Sequence, residues 1–558
     1  MTLAARHEQA ICLCRGGDWA GAIGLLEALL PDRAAVLGNF HQDTLLSLWW
    51  LAKALAEEGR FGEAAVRYGE LAQGRCENPE IGPDDSSTLN ARHEQAYWTE
   101  QAGDRAGAIV LYEALLPDRV AAQGRVHRET LVTLRNLAKA LAEEGRFGEA
   151  AVRYGELAQG RCENPEIGPD DSSTLNARHE QAYWTEQAGD RAGAIVLYEA
   201  LLPDRVAAQG RVHRETLVTL RNLAKALAEE GRFGEAAVRY GELAQGRCEN
   251  PEIGPDDPRT LTARSDQACY TEKAGDRAAA IVLYESVLAD RVSALGQSHG
   301  HSMALLSNLA TALAEDGRHA DAANRFQELA RLLADSSDYG VLHPRTLAAR
   351  ENHSREVRRT GDVDAAVQLQ ESIAADTSAG LGGMHPNAIA SKMQLAKDLR
   401  SDGRYRDSAR QYAELARLFG DSALFGPEDA TTLDMRDWEA VCLQQSGDRH
   451  GAIQVYERLV PDASAALGES HSLTCEALRR WARDLAEERR YDEAGLRYGQ
   501  LAKALADNSD FGSKHPDVMA AQVRERLCLD AHRAGSTEPL DRFLAGKMAE
   551  MRPRRRAR

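Results

Sequence analysis

The residues best suited to chemistry come as a repeated tetrad, "HEQA", at His7, His93 and His179. A zinc protease would need a second histidine four residues after the first, with the glutamate between them as base. That second histidine is missing, so the tetrad reads as a His-Glu pair on a helix surface. A phosphate-cradling loop of the form GxxxxGK[ST] is also missing, since "AGKMAE" around Lys547 lacks both the glycine spacing and the hydroxyl residue. Of the nine cysteines, Cys12 and Cys14 are two apart and would point to opposite helix faces, while Cys76, Cys162 and Cys248 fall one per repeat. They read as reduced thiols, and neither metal nor cofactor is implied.

The tetrads at His93 and His179 recur because a whole module of the chain is copied. Residues 51–171 match residues 137–257 without a difference, and the 27-residue string "GRFGEAAVRYGELAQGRCENPEIGPDD" begins at Gly59, Gly145 and Gly231. A reaction centre needs a handful of groups held to within about half an ångström. Here each candidate in the copied region exists twice, one rigid step apart. Binding surfaces tolerate such duplication, so the reading is a protein without catalysis.

The repeat also fixes the architecture. Glycines that can turn a helical hairpin stand at 17, 59, 103, 145, 189, 231, 275, 317, 361, 403 and 447, with gaps alternating 42 and 44, and Arg489 keeps the beat. Around Gly59, Leu48, Leu51, Ala52 and Leu55 share one face of a first helix, and Phe61, Ala64, Tyr68 and Leu71 make the facing stripe of a second. Small Ala52 and Ala64 permit close approach, and one hairpin alone buries too little to be stable. With 43% hydrophobic and only 6% aromatic residues, the chain reads as all-α. In "GPDDSSTL", Gly-Pro stops one helix and Asp or Ser caps the next.

The predicted organisation is one continuous solenoid over residues 1–550, built of about 13 hairpins in an 86-residue double repeat. Its segments are 1–84, 85–170, 171–256, 257–344, 345–429, 430–516 and a terminal hairpin at 517–550 turning near Gly535, followed by a basic tail, 551–558. Formal charge is −18, which repels nucleic acid and anionic membrane, and no apolar run approaches membrane-spanning length. No leader precedes the first helical pattern, so a cytoplasmic location is expected.

The spacing of small residue, glycine and aromatics resembles the tetratricopeptide repeat. The stretched unit, with His343-Pro344 before Thr346-Leu347 and with His385-Pro386 and His515-Pro516, is similar to the kinesin-light-chain-like variety. The resemblance covers residues 2 to about 550. Two departures stand out: Arg92 and Gln95 sit where the family has apolar residues, and the ninth hairpin ("RENHSREVRRTGD") keeps little beyond its glycine and Ala366.

The resemblance implies a right-handed superhelix whose first helices line a concave groove, with groove-facing residues five and nine places along each. On even hairpins these are Trp49 and Lys53, Arg135 and Lys139, Arg221 and Lys225, Met393 and Lys397, and Arg479 and Arg483. On odd hairpins they are His93 with Tyr97 and His179 with Tyr183, offered as flat surfaces to a ligand. Asn136, Asn222 and Asn308 would bond the backbone of an extended peptide. The implied role is a scaffold that holds an acidic or extended segment of a partner protein; the alternative is a sensor arm acting on a separate signalling or conflict NTPase. The charges could instead pair with glutamates such as those of "AEEGR". At the N-terminal end Ile11, Cys12, Leu13, Trp19 and Trp49-Trp50 suggest docking, including self-association, or an inward-folded cap.

Overall fold

The computed structural model describes residues 2–507 and 515–535, and among them there is no strand. The terminal hairpin's second helix, Lys547 and the arginine tail lie outside the described residues. The chain divides into two compact units, Met1–Ala294 and Leu295–Arg558. The first holds α1 (Leu3–Gly16), α2 (Trp19–Leu37), α3 (Gln42–Glu57), α4 (Phe61–Glu77), α5 (Ser86–Gln101), α6 (Arg105–Gln123), α7 (Arg128–Glu143), α8 (Phe147–Glu163), α9 (Ser172–Gln187), α10 (Arg191–Gln209), α11 (Arg214–Glu229), α12 (Phe233–Glu249), α13 (Pro258–Lys273) and α14 (Arg277–Leu295). The second holds α15 (Gly300–Glu315), α16 (His319–Ala334), α17 (Pro344–Arg359), α18 (Val363–Leu381), α19 (Pro386–Ser401), α20 (Tyr405–Gly420), α21 (Ala430–Gln445), α22 (Arg449–Leu467), α23 (Ser472–Glu487), α24 (Tyr491–Ala506) and α25 (Pro516–Ala534). Within each unit successive helices pack neighbour to neighbour, the all-α solenoid that the repeat predicts.

Every turn position read from the sequence has the left-handed backbone, from Gly17 at φ 81° to Gly447 at φ 85°, and Arg489 joins them at φ 62°. Arg489 is the one non-glycine in this region of the Ramachandran plot among the described residues. An L side chain is strained there by roughly 1–2 kcal/mol. We expect Arg489→Gly to stabilise the second unit by about 1 kcal/mol after the entropy of glycine is subtracted, read as a higher urea midpoint. An unchanged or lower midpoint would show that the arginine side chain compensates the strain.

The connections between hairpins use a second glycine series with positive φ: Gly82 and Gly168 are those of "GPDDSSTL", which follow helices already ended at Glu77 and Glu163, and Gly38, Gly124 and Gly210 were not singled out in the sequence. The "TL" threonine explains its recurrence: Thr88 Oγ1 donates to the carbonyl of Gly82 at 2.8 Å, and Thr174 to Gly168 at 2.8 Å. The residue ahead of each first helix is its N-cap. Asp85 Oδ1 accepts from the Ser87 N–H at 2.8 Å, and where the motif has histidine, His127 Nδ1 accepts from the Glu129 N–H at 3.2 Å.

The core follows the expected stripe, with Leu51, Ala52, Leu55, Ala64 and Leu71 all buried. The departures from the repeat pattern have physical reasons. Arg92 reaches Asp118 at 2.6 Å, and the Gln95 amide lies where a Cβ on Gly69 would stand, 2.8 Å from its Nε2. The ninth hairpin forms regardless as α17 and α18: Ser354 Oγ donates to the Ala366 carbonyl at 2.8 Å, and buried Glu356 accepts from Arg359 at 2.9 Å.

Candidate functional site

The first helices α7 and α11 of two even hairpins present basic residues to solvent, whereas Lys53 on α3 and Arg479 on α23 are half-buried. On α7, Arg135 and Lys139 are exposed and Asn136 is half-buried, and α11 repeats this with Arg221, Lys225 and Asn222. Lys139 Nζ lies 3.5 Å from Glu143 on its own helix, and Lys225 lies 3.5 Å from Glu229. Arg105 from the preceding hairpin also reaches Glu143, at 3.0 Å. The lysines are thus drawn to the "AEEGR" glutamates, but such exposed pairs are worth about 0–1 kcal/mol and yield readily to a ligand. Arg135 and Arg221 form neither an ion pair nor a hydrogen bond among the described residues.

The odd hairpins differ from the flat ligand surfaces expected of them. His93 is only 9% exposed, and both its ring nitrogens are engaged. Nδ1 lies 3.1 Å from Thr133 Oγ1, and Asn136 Nδ2 lies 3.4 Å from Nε2. Because Thr133 donates its own proton to the Glu129 carbonyl, at 3.0 Å, Nδ1 must carry the imidazole proton and Nε2 must accept from Asn136. Burial, with the charges of Arg119 and Arg135 added, pushes the His93 pKa down to about 4, so the ring is neutral. His179 repeats the arrangement with Thr219 at 3.1 Å and Asn222 at 3.4 Å, again at about 4 through burial, Arg205 and Arg221. His93, His179, Asn136 and Asn222 therefore join adjacent hairpins. The sequence signal was the constant separation of 40 residues, which also pairs His7 with Ser47 at 3.1 Å.

Tyr97 and Tyr183 are half-buried and meet Trp98 and Trp184 edge-on, with ring centres at 4.9 and 4.8 Å. Trp98 stacks on Phe61 at 5.5 Å, and its Nε1 donates to Glu94 at 2.9 Å. Burial holds the Glu94 carboxyl above its usual range. In the tetrads at His93 and His179 the histidine and the glutamate are each held in hydrogen bonds within the stack. On α3, Lys53 Nζ stands 5.4 Å from the rings of both Trp49 and Trp50. Trp49 and Lys53, together with Tyr68, Glu57, Glu94 and Trp98, border a cavity of about 440 Å³. At the N-terminal end Ile11 is buried, and Leu13, Trp19 and Trp50 lie against the core of the first two hairpins, leaving Cys12 exposed.

In the second unit Asn308 is exposed and borders a cavity of about 300 Å³ with Phe326 and Tyr339. Lys397 is exposed and Met393 half-buried. Arg479 pairs with Glu476 at 3.2 Å, and Arg483 is exposed. The position of His93 is taken here by Asp437, buried and paired with Arg480, which occupies the position of Asn136. Sequence reasoning missed another set of residues, Arg33, Arg119, Arg205 and Arg291 of the "DR" dipeptides, all buried. Among the described residues no group of side chains could hold a metal ion, and all nine cysteines are free. No helix among them is long and apolar enough to cross a membrane.

No family model matches the chain, and no curated protein matches it. Solved structures similar to it include the nearly identical TPR-like repeats of a protein named as a kinesin light chain from Podosopora anserina, 20% identical over 38% of this chain and 98% of that one, with a TM-score of 0.32. BtubC (BKLC) from P. vanneervenii is 17% identical over 53% of this chain and 94% of that one, TM-score 0.27. The P58(IPK) TPR domain is 15% identical over 72% and 99%, TM-score 0.21. The class that the chain's own hairpins define is an all-α repeat solenoid of stacked helical hairpins.

Proposed function

We propose that the protein is a non-catalytic interaction scaffold that holds an acidic or extended segment of a partner protein along the face formed by the first helices. The observation that carries this reading is the pair of exposed, uncompensated guanidiniums at Arg135 and Arg221, one module apart, in a chain of net charge −18. With no carboxylate at ion-pair distance among the described residues, these solvated cations are open to an external anion without an internal pair to break. Lys139 and Lys225 stand four residues further along the same faces and exchange a weak internal partner for a stronger external one. Because the two modules are identical, a partner carrying two acidic segments at matching spacing gains affinity by linkage alone.

Reversing Arg135, Lys139, Arg221 and Lys225 together to Glu tests the reading. The variant should keep the helical circular dichroism of the parent and lose at least tenfold in capture of partners isolated with the parent from the native cell. Full retention of the same partners would remove the proposal.

A further inference from the structure

The last first-helix cavity of the second unit is opposite in charge to the corresponding cavity of the first module. About 310 Å³ in size, it lies among α23, α24 and α25 and is bordered by Arg479, Arg480, Arg483 and Arg524, with Glu476 and Glu487 as the carboxylates. Each carboxylate is already engaged. Glu476 accepts from Arg479 at 3.2 Å and stands 3.8 Å from Arg480, while Glu487 pairs with Arg449 at 2.7 Å. Arg480 also pairs with buried Asp437. Arg483 and Arg524 are left without a carboxylate among the described residues, and the Arg524 guanidinium sits 5.8 Å from the ring of Tyr498. Counting the lining charges, four guanidiniums less two carboxylates, the cavity carries a net charge of +2.

The first module shows how this charge arises. Arg524 occupies the register of Glu94 and Glu180, each of which accepts a bond from its neighbouring tryptophan. The corresponding cavity of the first module, with Lys53 and Arg75 against Glu57, Glu94 and Glu129, is net −1 by the same count. The exchange of Glu94 for Arg524 accounts for two of the three charges by which the sites differ; the rest comes from flanking exchanges, among them Arg479 and Arg480 where the first module has Trp49 and Trp50. The remaining wall suits a group with an apolar stem: Ala486, Leu527 and buried Cys528 line it. Burial pushes the Cys528 thiol up to about 11 and the Tyr498 hydroxyl up to about 12, so both stay protonated and add no negative charge.

We infer that this cavity binds a dianionic oxyanion on an apolar or aromatic stem, presented by a protein segment as a phosphorylated side chain, with Arg483 and Arg524 as its two cationic contacts. The inference rests on the first-helix face being the partner-binding face and specifies the chemistry of its last site. Two guanidiniums lining one cavity match the double charge of a phosphate monoester better than that of a single carboxylate.

The test uses phenyl phosphate as probe on the full chain, with titration calorimetry at pH 7.5 and low salt. The expected result is one site, at least tenfold weaker in Arg483→Met/Arg524→Met and in Arg524→Glu, and unchanged in Arg135→Met/Arg221→Met. Binding should strengthen between pH 5.5 and 7.5 as the phosphate takes its second charge near pH 6. Benzoate should bind at least tenfold more weakly than phenyl phosphate, while a Glu-Glu dipeptide binding as tightly as phenyl phosphate would overturn the phosphate assignment. Absence of phenyl phosphate binding to the parent, or equal binding to the two pocket variants, would overturn the site itself. Either failure leaves the capture experiment on Arg135 and Arg221 standing, whereas retained capture by the charge-reversed variant removes the scaffold reading and leaves the calorimetry to be judged alone. Circular dichroism of each variant separates lost binding from lost folding.

Discussion

Replacing His93 and His179 with Gln is expected to flatten the acid limb of stability in the first unit. Both histidines are held down to about 4 from an ordinary 6.5, by burial first and then by Arg119 and Arg135 or by Arg205 and Arg221. The unfolded chain takes up these protons earlier than the folded one, so the stabilisation is complete above pH 6.5 and is lost as the pH falls from 6.5 towards 4. The gap is worth roughly 3 kcal/mol for each histidine, about 6 for the pair. Glu94 and Glu180, whose carboxyls burial raises, act in the opposite sense over part of this range. The informative quantity is therefore the difference between parent and variant, which cancels the glutamates. Urea unfolding followed at pH 7, 6, 5 and 4.5 should show the parent losing ground to the variant at each step below 6.5. Parallel curves would mean that the two rings are protonated in the fold, contradicting the donor assignment through Thr133 and Thr219.

What the sequence made legible was whatever the period forces on the backbone. The turn at Arg489 could be placed with no glycine there, because the spacing of 42 and 44 residues demands a left-handed residue and the packed helices on either side hold it. Exposure at residues five and nine of the first helices was equally legible at Arg135, Lys139, Arg221, Lys225, Lys397 and Arg483. The same rule misplaced His93 and His179, since exposure at a repeat position depends on the residue 40 places later as well as on the helix itself. Thr133 and Thr219 offer a hydroxyl at a distance that draws the ring inward, and Asn136 and Asn222 close over it. The inverted charge at Arg524 was visible as a letter but had no meaning until Glu476 and Glu487 were seen to be engaged. The buried guanidiniums went unmarked because a "DR" dipeptide on a helix gives no hint of which residue points inward.

Those guanidiniums lead to the last prediction. Arg119 and Arg205 are fully buried, and no carboxylate pairs with either among the described residues. Arg119 Nη2 donates to the Leu89 carbonyl at 3.2 Å and to Asn90 Oδ1 at 2.9 Å, and Nη1 donates to Gln123 at 3.3 Å. Arg205 makes the equivalent Nη2 bonds to Leu175 and Asn176 at 3.1 and 2.8 Å, while its Nε and Nη1 find no partner. Burial lowers the pKa of both. A charge in this state costs more in lost hydration than neutral acceptors return. The chain's own later modules show that the hairpin closes without it, for the same register holds buried Thr377 and buried Ala463. Arg119→Met/Arg205→Met should therefore stabilise the first unit by about 1–4 kcal/mol, whereas Arg119→Ala, which leaves a cavity, should cost about 2–4 kcal/mol. Differential scanning calorimetry distinguishes the two, and a methionine variant no more stable than the alanine one would show that the charge is required. The methionine variant also tests why the charge persists. Arg119 is the largest charge effect keeping His93 neutral, and a neutral Nε2 is what holds Asn136 beside the exposed Arg135. Nitrogen NMR of the imidazole should accordingly show His93 titrating at higher pH in Arg119→Met, a gain in stability obtained by loosening the residue next to the candidate contact.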